Sequence, residues 1–563
     1  MLPSTVFDEK EILPGADGTD RAVATQDDSR ALIDAAIAVA EYEKTLSFSQ
    51  IFKLYWKGAV WSIVLSLALI MEGMDTGLIN NFFGQSSFIN HFGFTDAAGK
   101  KYIPADWQAA INNANNIGSI IGLAINGWAQ SRFGSRRVYM VTMVLMTGFI
   151  FVLVFATSLQ MLFAGALLCG IPWGILQTLT TAYAAEICPP AMRGYLAAWV
   201  AMSWGAGTFL ATGILRGSLS LTGDWGWRVP YMLQWVWPVP LFVAAFFAPE
   251  SPWYLVRMGK IDQAETTLRR CARAGHYTED TMRQQIALMV YTNEVEKEES
   301  AHATSYRDLF KGNNRRRTEI ACVTWLIQMT NGQAICGYAT VFLQAAGMPQ
   351  VQAFNYSMGI QSGNILGTGV AIYLMRFFGR RTFYLAGQGG IGFFMLIVGI
   401  LGVIPATSGV SIGIAALLVC INLTYKLTLG PACYAIVSEI PSGRIRAQTV
   451  VLARASYICM SLVINQLVPR MLNATSWNWG AKSGFFFLGL NILTLVYTVF
   501  RIPETRNRTY AELDLLFAEK VPARKFASAT VDVTNGCLHE NNSLDVEGKG
   551  EIQQIETAGS MKH

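Results

Sequence analysis

The sequence predicts an all-α membrane protein in which twelve transmembrane helices form two six-helix, pseudo-symmetric halves. Three observations lead there. The chain of 563 residues is 52% hydrophobic and only 14% charged, where soluble proteins carry about 25% charged residues. Asp, Glu, Lys and Arg are absent from 138–185, 320–375 and 382–425. One spanning helix needs about 20 apolar residues, so each of these stretches holds two spans and a loop. Finally, short motifs recur in the same order in both halves of the chain.

The elements follow in chain order. The first 47 residues are polar and acidic, with no apolar stretch suited to a cleavable signal. Residues 1–50 therefore read as a cytoplasmic tail, and the first span, 58–81, directs insertion. A second span follows at 107–127. The charge-free stretch 138–185 divides at Ala156 to Gln160 into spans three and four, and spans five and six fall at 195–215 and 229–248. Together they make a first half over 51–249.

Residues 250–317 form a charged cytoplasmic connector, in which Asp262 to Arg273 read either as an amphipathic surface helix or as a solvated linker. The second half, 318–502, places two spans in 320–375 about a loop near 348. A ninth span precedes the break Pro405 to Gly409, and the last three fall at 410–433, 447–469 and 483–500. Residues 503–563 make a second cytoplasmic tail.

Arg132, Arg136, Arg137, Arg193, Arg376, Arg380, Arg381, Arg444 and Arg446 fall in short loops on one side, while the loops near 158, 348 and 407 carry no charge. The positive-inside rule makes the arginine-rich side cytoplasmic, and both termini with it. Arg136-Arg137 recurs as Arg380-Arg381, Glu186 with Arg193 as Glu439 with Arg446, and Pro249-Glu250-Ser251 as Pro503-Glu504-Thr505. Such ordered recurrence indicates two parallel repeats with a binding site between them near the bilayer midplane.

Other classes are excluded by what is missing. Alternating ten-residue segments of a β-barrel are not seen, and a net charge of +5 without a basic stripe argues against nucleic acid as a partner. The nine cysteines are scattered, without zinc spacing or a disulfide framework. No Walker sequence or hydrolase elbow occurs, so no cofactor or metal is expected. Gly387-Gln-Gly389-Gly-Ile-Gly392 fits G-x-G-x-x-G literally but lies in a charge-free helix, where small-residue packing explains it.

Charges that persist inside spans are the candidate working groups. Glu72 and Asp75 are three residues apart and share a helical face. Each central acid costs about 2.5–3.5 kcal/mol on the insertion scale, so facing an aqueous cavity is the cheapest solution. Counted from Lys57 they lie about 22–27 Å along the helix, in the outer half. A proton-coupling role competes with simply wetting the outer end of the helix. Arg454 either pairs with an acid, donates to sugar hydroxyls, or snorkels to the interface; Lys426 has the same choices. Asn112 and Asn116, in a run of asparagines, line a cavity or bridge helices.

The segment Gly127-Trp-Ala-Gln-Ser-Arg132-Phe-Gly134-Ser-Arg136-Arg137 resembles the G-x3-D-R-x-G-R-R motif of the sugar porter family of the major facilitator superfamily. So do Tyr183-Ala-Ala-Glu186 with Arg193-Gly194, Pro249-Glu-Ser-Pro-Trp-Tyr-Leu255, and Pro503-Glu504-Thr505 before Tyr510-Ala-Glu512-Leu513. Met71-Glu72-Gly-Met-Asp75-Thr76, Cys169-Gly-Ile-Pro172-Trp173-Gly174, Gly430-Pro431-Ala-Cys433-Tyr434 and Val451-Leu-Ala-Arg454 are most similar to the fungal α-glucoside, or maltose-type, permeases.

The resemblance implies proton-coupled import of an α-glucoside such as maltose by alternating access at the plasma membrane. It implies a monomer whose partners are sugar, protons and the lipid bilayer. It implies sugar contacts from Gln328 and Tyr434, and a cytoplasmic gate from Arg132, Arg136, Arg137, Glu186, Arg193, Arg380, Arg381, Glu439 and Arg446. The chain departs from the family pattern at Ser119, Ser131 and Ala166, positions of the gating and coupling apparatus. Two other readings therefore stay open. One is a proton-independent facilitator or exporter of another hydroxylated metabolite, quinate-like or secondary. The other is a non-transporting sugar receptor.

Overall fold

The computed structural model describes residues 48–539 except 97–98, 100, 302–305, 375–376, 406, 442–444, 474, 507, 509, 528 and 533–536. Of the expected tails, nearly all of 1–50 and the part of 503–563 from 540 onward lie outside the described residues. Span 1 is Phe48–Ser66 continued by Ala68–Phe82; span 2 is Ala105–Phe133, span 3 Ser135–Val154, span 4 Leu159–Ile187 and span 5 Pro190–Ser218. Span 6 joins Trp225–Met232 to Pro238–Phe247. Span 7 is Gly312–Thr330 with Ala339–Ala345, span 8 Gln350–Leu374, span 9 Arg380–Leu401, and span 10 Ser408–Leu427 with Leu429–Glu439. Span 11 is Arg446–Leu472 and span 12 Ser483–Arg501.

Eight of these helices are long and apolar enough to cross a membrane on composition alone. Spans 2, 5, 7 and 8 complete the twelve. They carry polar residues because they face protein: span 5 packs on span 8 and span 2 on span 11, and these contacts join the halves. Within the first half span 1 packs on span 5, span 2 on span 4, and span 3 on spans 4 and 6. In the second half span 7 packs on span 11, span 8 on span 10, and span 9 on spans 10 and 12. The same wiring at a shift of six helices is the three-dimensional form of the sequence repeat. Each half has its own buried core, one around Trp173, Tyr139 and Met74, the other around Phe342, Tyr384 and Phe487.

Lipid tails offer little driving force between helices, so close backbone approach supplies the association. A Cβ at Gly73 would lie 2.0 Å from the Trp204 carbonyl oxygen, and one at Gly207 would lie 2.0 Å from that of Ile70. Spans 1 and 5 therefore touch backbone to backbone. Gly207→Val is expected to force them apart, and detergent-solubilised variant should lose its monodisperse peak in size-exclusion chromatography. The G-x-G-x-x-G segment behaves as packing: a Cβ at Gly387 would meet Thr428 Oγ1 at 2.1 Å, and one at Gly392 would meet Asn491 Nδ2 at 2.7 Å.

Around Asp262 to Arg273 the connector folds as a helix, Ile261–Cys271, that buries Ala264, Leu268 and Cys271. With Leu255, Val256, Met282, Ile286 and Met289 it forms a small core of its own. The Arg273 N–H donates to the Leu54 carbonyl at 2.7 Å, beside a kink at Tyr55. The first helix of the second half runs Gly312–Thr330, and its Arg317 pairs with Asp514 of the helix Tyr510–Ala518, which buries Leu513, Leu516 and Phe517 in the second core.

Candidate functional site

Spans 1, 4, 7 and 10 are each interrupted or strained near mid-length. Span 1 tightens by one turn at Leu67, where Leu67 N–H donates to the Val64 carbonyl at 3.1 Å, and span 4 carries Pro172. Span 7 turns at Gly332 with φ +94°, where a Cβ would meet Met395 Cε at 2.5 Å. Span 10 breaks at Thr428, three residues before Pro431, whose ring clashes with helical backbone one turn earlier. Interrupted helices free polar groups at membrane depth, and the candidate site lies among them.

From the first half, Glu72 is nearly buried and accepts a hydrogen bond from Gln177 Nε2 at 3.4 Å, while its Oε2 has no partner among the described residues. Gln177 Oε1 in turn accepts from Arg454 Nη2 at 3.2 Å. The guanidinium lies over the rings of Tyr457 and Trp325, 4.5 and 4.8 Å from their centroids. Trp325 packs edge-on against Tyr434 at 4.8 Å. A continuous chain of contacts thus runs from an acid in one half to an aromatic wall in the other. Beside it Gln328 is buried, and its Oε1 accepts from the Tyr425 hydroxyl at 2.7 Å. Among the described residues the Gln328 Nε2, Asn331 Nδ2 and Trp325 Nε1 donors have no partner. Unmet buried donors next to flat aromatic faces suit a ligand rich in hydroxyls.

The sequence expectations fare unequally here. Asp75 has no exposed surface. It is fully buried inside the first half, accepting from Trp173 Nε1 at 2.9 Å and Gln234 Nε2 at 3.1 Å. The two donors lodge it between spans 4 and 6, which sequence spacing cannot reveal. Glu72 lies level with Gln177, which is ten residues from the arginine-rich end of span 4, about 15 Å along that helix. Arg454 reaches Glu72 through Gln177 rather than by a direct ion pair.

Asn112 and Asn116 bridge helices. Asn112 Nδ2 donates to the Tyr338 hydroxyl at 2.9 Å, and that hydroxyl donates to Asn465 Oδ1 at 3.2 Å. Asn116 Nδ2 donates to Ser461 Oγ at 3.4 Å. Lys426 places its ammonium 5.2 Å from the centroid of Trp204, across the interface between halves. Tyr434 is 57% exposed, open to the space between halves.

At the arginine-rich end the expected gate residues pair inside each half. Glu186 bonds Arg257 of the connector at 2.8 Å, and Glu439 bonds Arg380 at 3.2 Å and accepts from Thr505 Oγ1. Arg136 donates to the Phe246 carbonyl, Arg381 donates to that of Val499 at 2.8 Å, and Arg132 and Arg137 are exposed. The side chains of Arg193 and Arg446 lie outside the described residues. Among the described residues no ion pair at this end joins the halves. At the opposite end many contacts do. Thr340 Oγ1 donates to Asn81 Oδ1 at 2.5 Å, Gln344 and Gln350 each donate to the Gly84 carbonyl at 2.8 Å, Arg216 meets Asn355 at 2.8 Å, and Arg470 meets Asp106 at 2.6 Å. A cavity of ≈ 380 Å³ lined by Ser86, His91, Asp224 and Gln350 also lies at that end, away from Glu72.

A family model described as "Sugar (and other) transporter" matches residues 61–517. The chain belongs to this sugar transporter family. It is 36% identical over 519 residues to a general alpha-glucoside permease of Saccharomyces cerevisiae, covering 91% of this chain and 84% of the relative. To the maltose permease MAL31 of the same yeast it is 38% identical over 510 residues, covering 89% and 83%. The inward-open xylose transporter XylE of E. coli superposes with a TM-score of 0.65 at 21% identity, over 81% of this chain and 98% of that one. A partially occluded form of XylE gives 0.64 at 20% identity, over 80% and 98%. These matches give this sugar transporter family member the twelve-helix major facilitator fold.

Gln177, Gln234, Tyr425, Trp325 and Tyr457 escaped the sequence reading, and Trp173 entered it only as part of the span-four motif. The one available signal was that Gln177 is among the few amides of a charge-free stretch.

Proposed function

We propose that this transporter imports an α-glucoside such as maltose together with a proton, by alternating access across the plasma membrane, as a monomer with both termini cytoplasmic. The observation that carries the reading is the contact chain from Glu72 through Gln177 and Arg454 to Trp325, a carboxylate linked across the halves to an aromatic wall with unfilled donors. Similarity to α-glucoside and maltose permeases over most of the chain supports the substrate class. In this assignment 51–249 and 318–502 are the moving halves, 250–317 connects them, and Glu72 with Arg454 couples the proton. Asp75 holds spans 1, 4 and 6 together. Gln328 and Tyr434 contact sugar, with Lys426 at the rim and the asparagine bridges of Asn112 and Asn116 closing the outer side.

With the arginine-rich end cytoplasmic, contacts gathered at the other end correspond to an inward-facing state. The pairs Glu186–Arg257 and Arg380–Glu439 then hold each half's inner end rigid, and the remaining gate arginines become available to cross over when the mouth closes.

The test is uptake of labelled maltose, trehalose, glucose and quinate in transporter-deleted yeast, each with and without a protonophore. Protonophore-sensitive accumulation of maltose is expected, with weak quinate uptake. Equilibration of any of them without accumulation, indifferent to the protonophore, would instead identify a facilitator.

A further inference from the structure

The amide of Gln177 stands between Glu72 on span 1 and Arg454 on span 11, with its nitrogen toward the acid at 3.4 Å and its oxygen toward the guanidinium at 3.2 Å. An amide has donors at one end and acceptors at the other, a carboxylate only accepts, and a guanidinium only donates. With Glu72 ionised, the three groups therefore fit in one order only. We propose that Gln177 is the positioning residue that converts protonation of Glu72 into release of the contact between halves at Arg454. This rests on the proton-coupled reading above.

The switch follows from hydrogen-bond polarity. A proton arriving from the outer side binds the Glu72 carboxylate, whose Oε2 has no partner among the described residues. The resulting hydroxyl is a donor and needs an acceptor. The Gln177 oxygen is within reach after a rotation of its amide, and that rotation turns the NH2 group toward Arg454. Two donors then face each other, and the bridge opens. When the proton leaves to the inner side, Glu72 again accepts only, the amide rotates back, and Arg454 is recaptured. The guanidinium stays in place throughout on Tyr457 and Trp325.

Other groups that face Glu72 do not replace this relay. Asp75, one turn along the same helix, is held by Trp173 and Gln234. The tyrosines at 434 on span 10 and 457 on span 11 lie within electrostatic reach of both Glu72 and Arg454. Among the described residues Gln177 alone has hydrogen bonds to both.

The experiment compares wild type, Gln177→Leu and Gln177→Glu in proteoliposomes with labelled maltose and an internal pH dye. Gln177→Leu is expected to lower the protons moved per maltose about tenfold, the size of losing one charge-assisted bond. Its pH profile for uptake should flatten. Gln177→Glu keeps an acceptor for Arg454 but offers Glu72 no donor, so its bridge should persist at acid pH. A second readout does not depend on symport. Spin labels carried by unnatural amino acids at Phe133 and Val451, exposed positions at the inner ends of spans 2 and 11, report the width of the inner mouth by pulsed resonance at pH 5 and pH 8. A distance distribution that moves with pH in wild type and is fixed in Gln177→Leu supports the relay. A Gln177→Leu protein that keeps both the wild-type proton-to-maltose ratio and the wild-type distance response overturns it. If wild type moves no protons with maltose yet its distance response depends on Gln177, the symport reading falls and the relay stands.

Discussion

Glu72→Gln is expected to abolish accumulation of maltose against a gradient while exchange across the membrane remains measurable. One co-transported proton is worth about 2.3 kcal/mol per 100 mV, or roughly fiftyfold accumulation. Glutamine has nearly the shape of glutamate, so the helix packing around position 72 is kept, but it cannot carry a proton. The accumulation ratio should fall from about fiftyfold to about one. Counterflow of labelled maltose in energised and de-energised vesicles is the measurement, and accumulation that survives in Glu72→Gln would remove Glu72 from the coupling role. Asp75→Asn is the informative contrast. Two N–H donors, from Trp173 and Gln234, converge on that carboxylate, and an asparagine would have to turn its own NH2 toward one of them. An unmet buried donor costs about 1–3 kcal/mol. Lower thermal stability, rather than selective uncoupling, is therefore expected at position 75.

The second large effect concerns the repeated glycine and glutamate. Glu504 accepts from the backbone N–H groups of Arg380 at 2.7 Å, Arg381 at 3.2 Å and Arg506 at 3.2 Å, so its carboxylate caps the N-terminus of span 9. Unsatisfied N–H groups at a helix start attract an anion. The carboxylate fits only because residue 379 has no side chain, since a Cβ there would lie 2.1 Å from Glu504 Oε2. Gly379→Ala expels the cap, and a loss of about 1–3 kcal/mol is expected from broken hydrogen bonds to a charged group. Glu504→Ala should cost a similar amount, and the double variant little more, because both remove the same interaction. Thermal unfolding in detergent, followed by tryptophan fluorescence, checks this; additive losses would show that the two residues act separately. The first half repeats the device: Glu250 accepts from Arg136 N at 3.2 Å, and Gly134, at φ +84°, leaves it room. Burial lifts the Glu250 carboxyl above its ordinary range, an effect that the N–H donors of Ser251 and Arg136 only partly offset.

These two devices show how much of the protein is legible in its sequence. The recurrence of Arg136-Arg137 with Pro249-Glu250-Ser251 as Arg380-Arg381 with Pro503-Glu504-Thr505 was visible, although its purpose, an anion seated on a helix start, needed coordinates. Glu72 and Arg454 were legible because charge is costly at membrane depth and therefore stands out, whereas Gln328 and Tyr434 came from the family resemblance alone. Gln177, Trp325 and Tyr457 were not, because aromatic residues and a lone glutamine are ordinary inside an apolar run. The face that Asp75 presents was beyond reach for another reason. A spacing of three residues says that two side chains share one side of a helix, not which neighbours stand there.

Hydropathy and charge thus determined by themselves that this chain makes twelve spans in two related halves and keeps a few ionisable groups inside them. That follows because the bilayer penalises each residue locally, so one segment can be judged without knowing the others. Only the tertiary structure decided that Asp75 is sealed between Trp173 and Gln234, that Glu72 reaches Arg454 through Gln177, and that contacts between the halves gather at one end. Those are relations between helices far apart in the chain. Interdigitating side chains and close backbone contacts set them, and no local pattern carries that information.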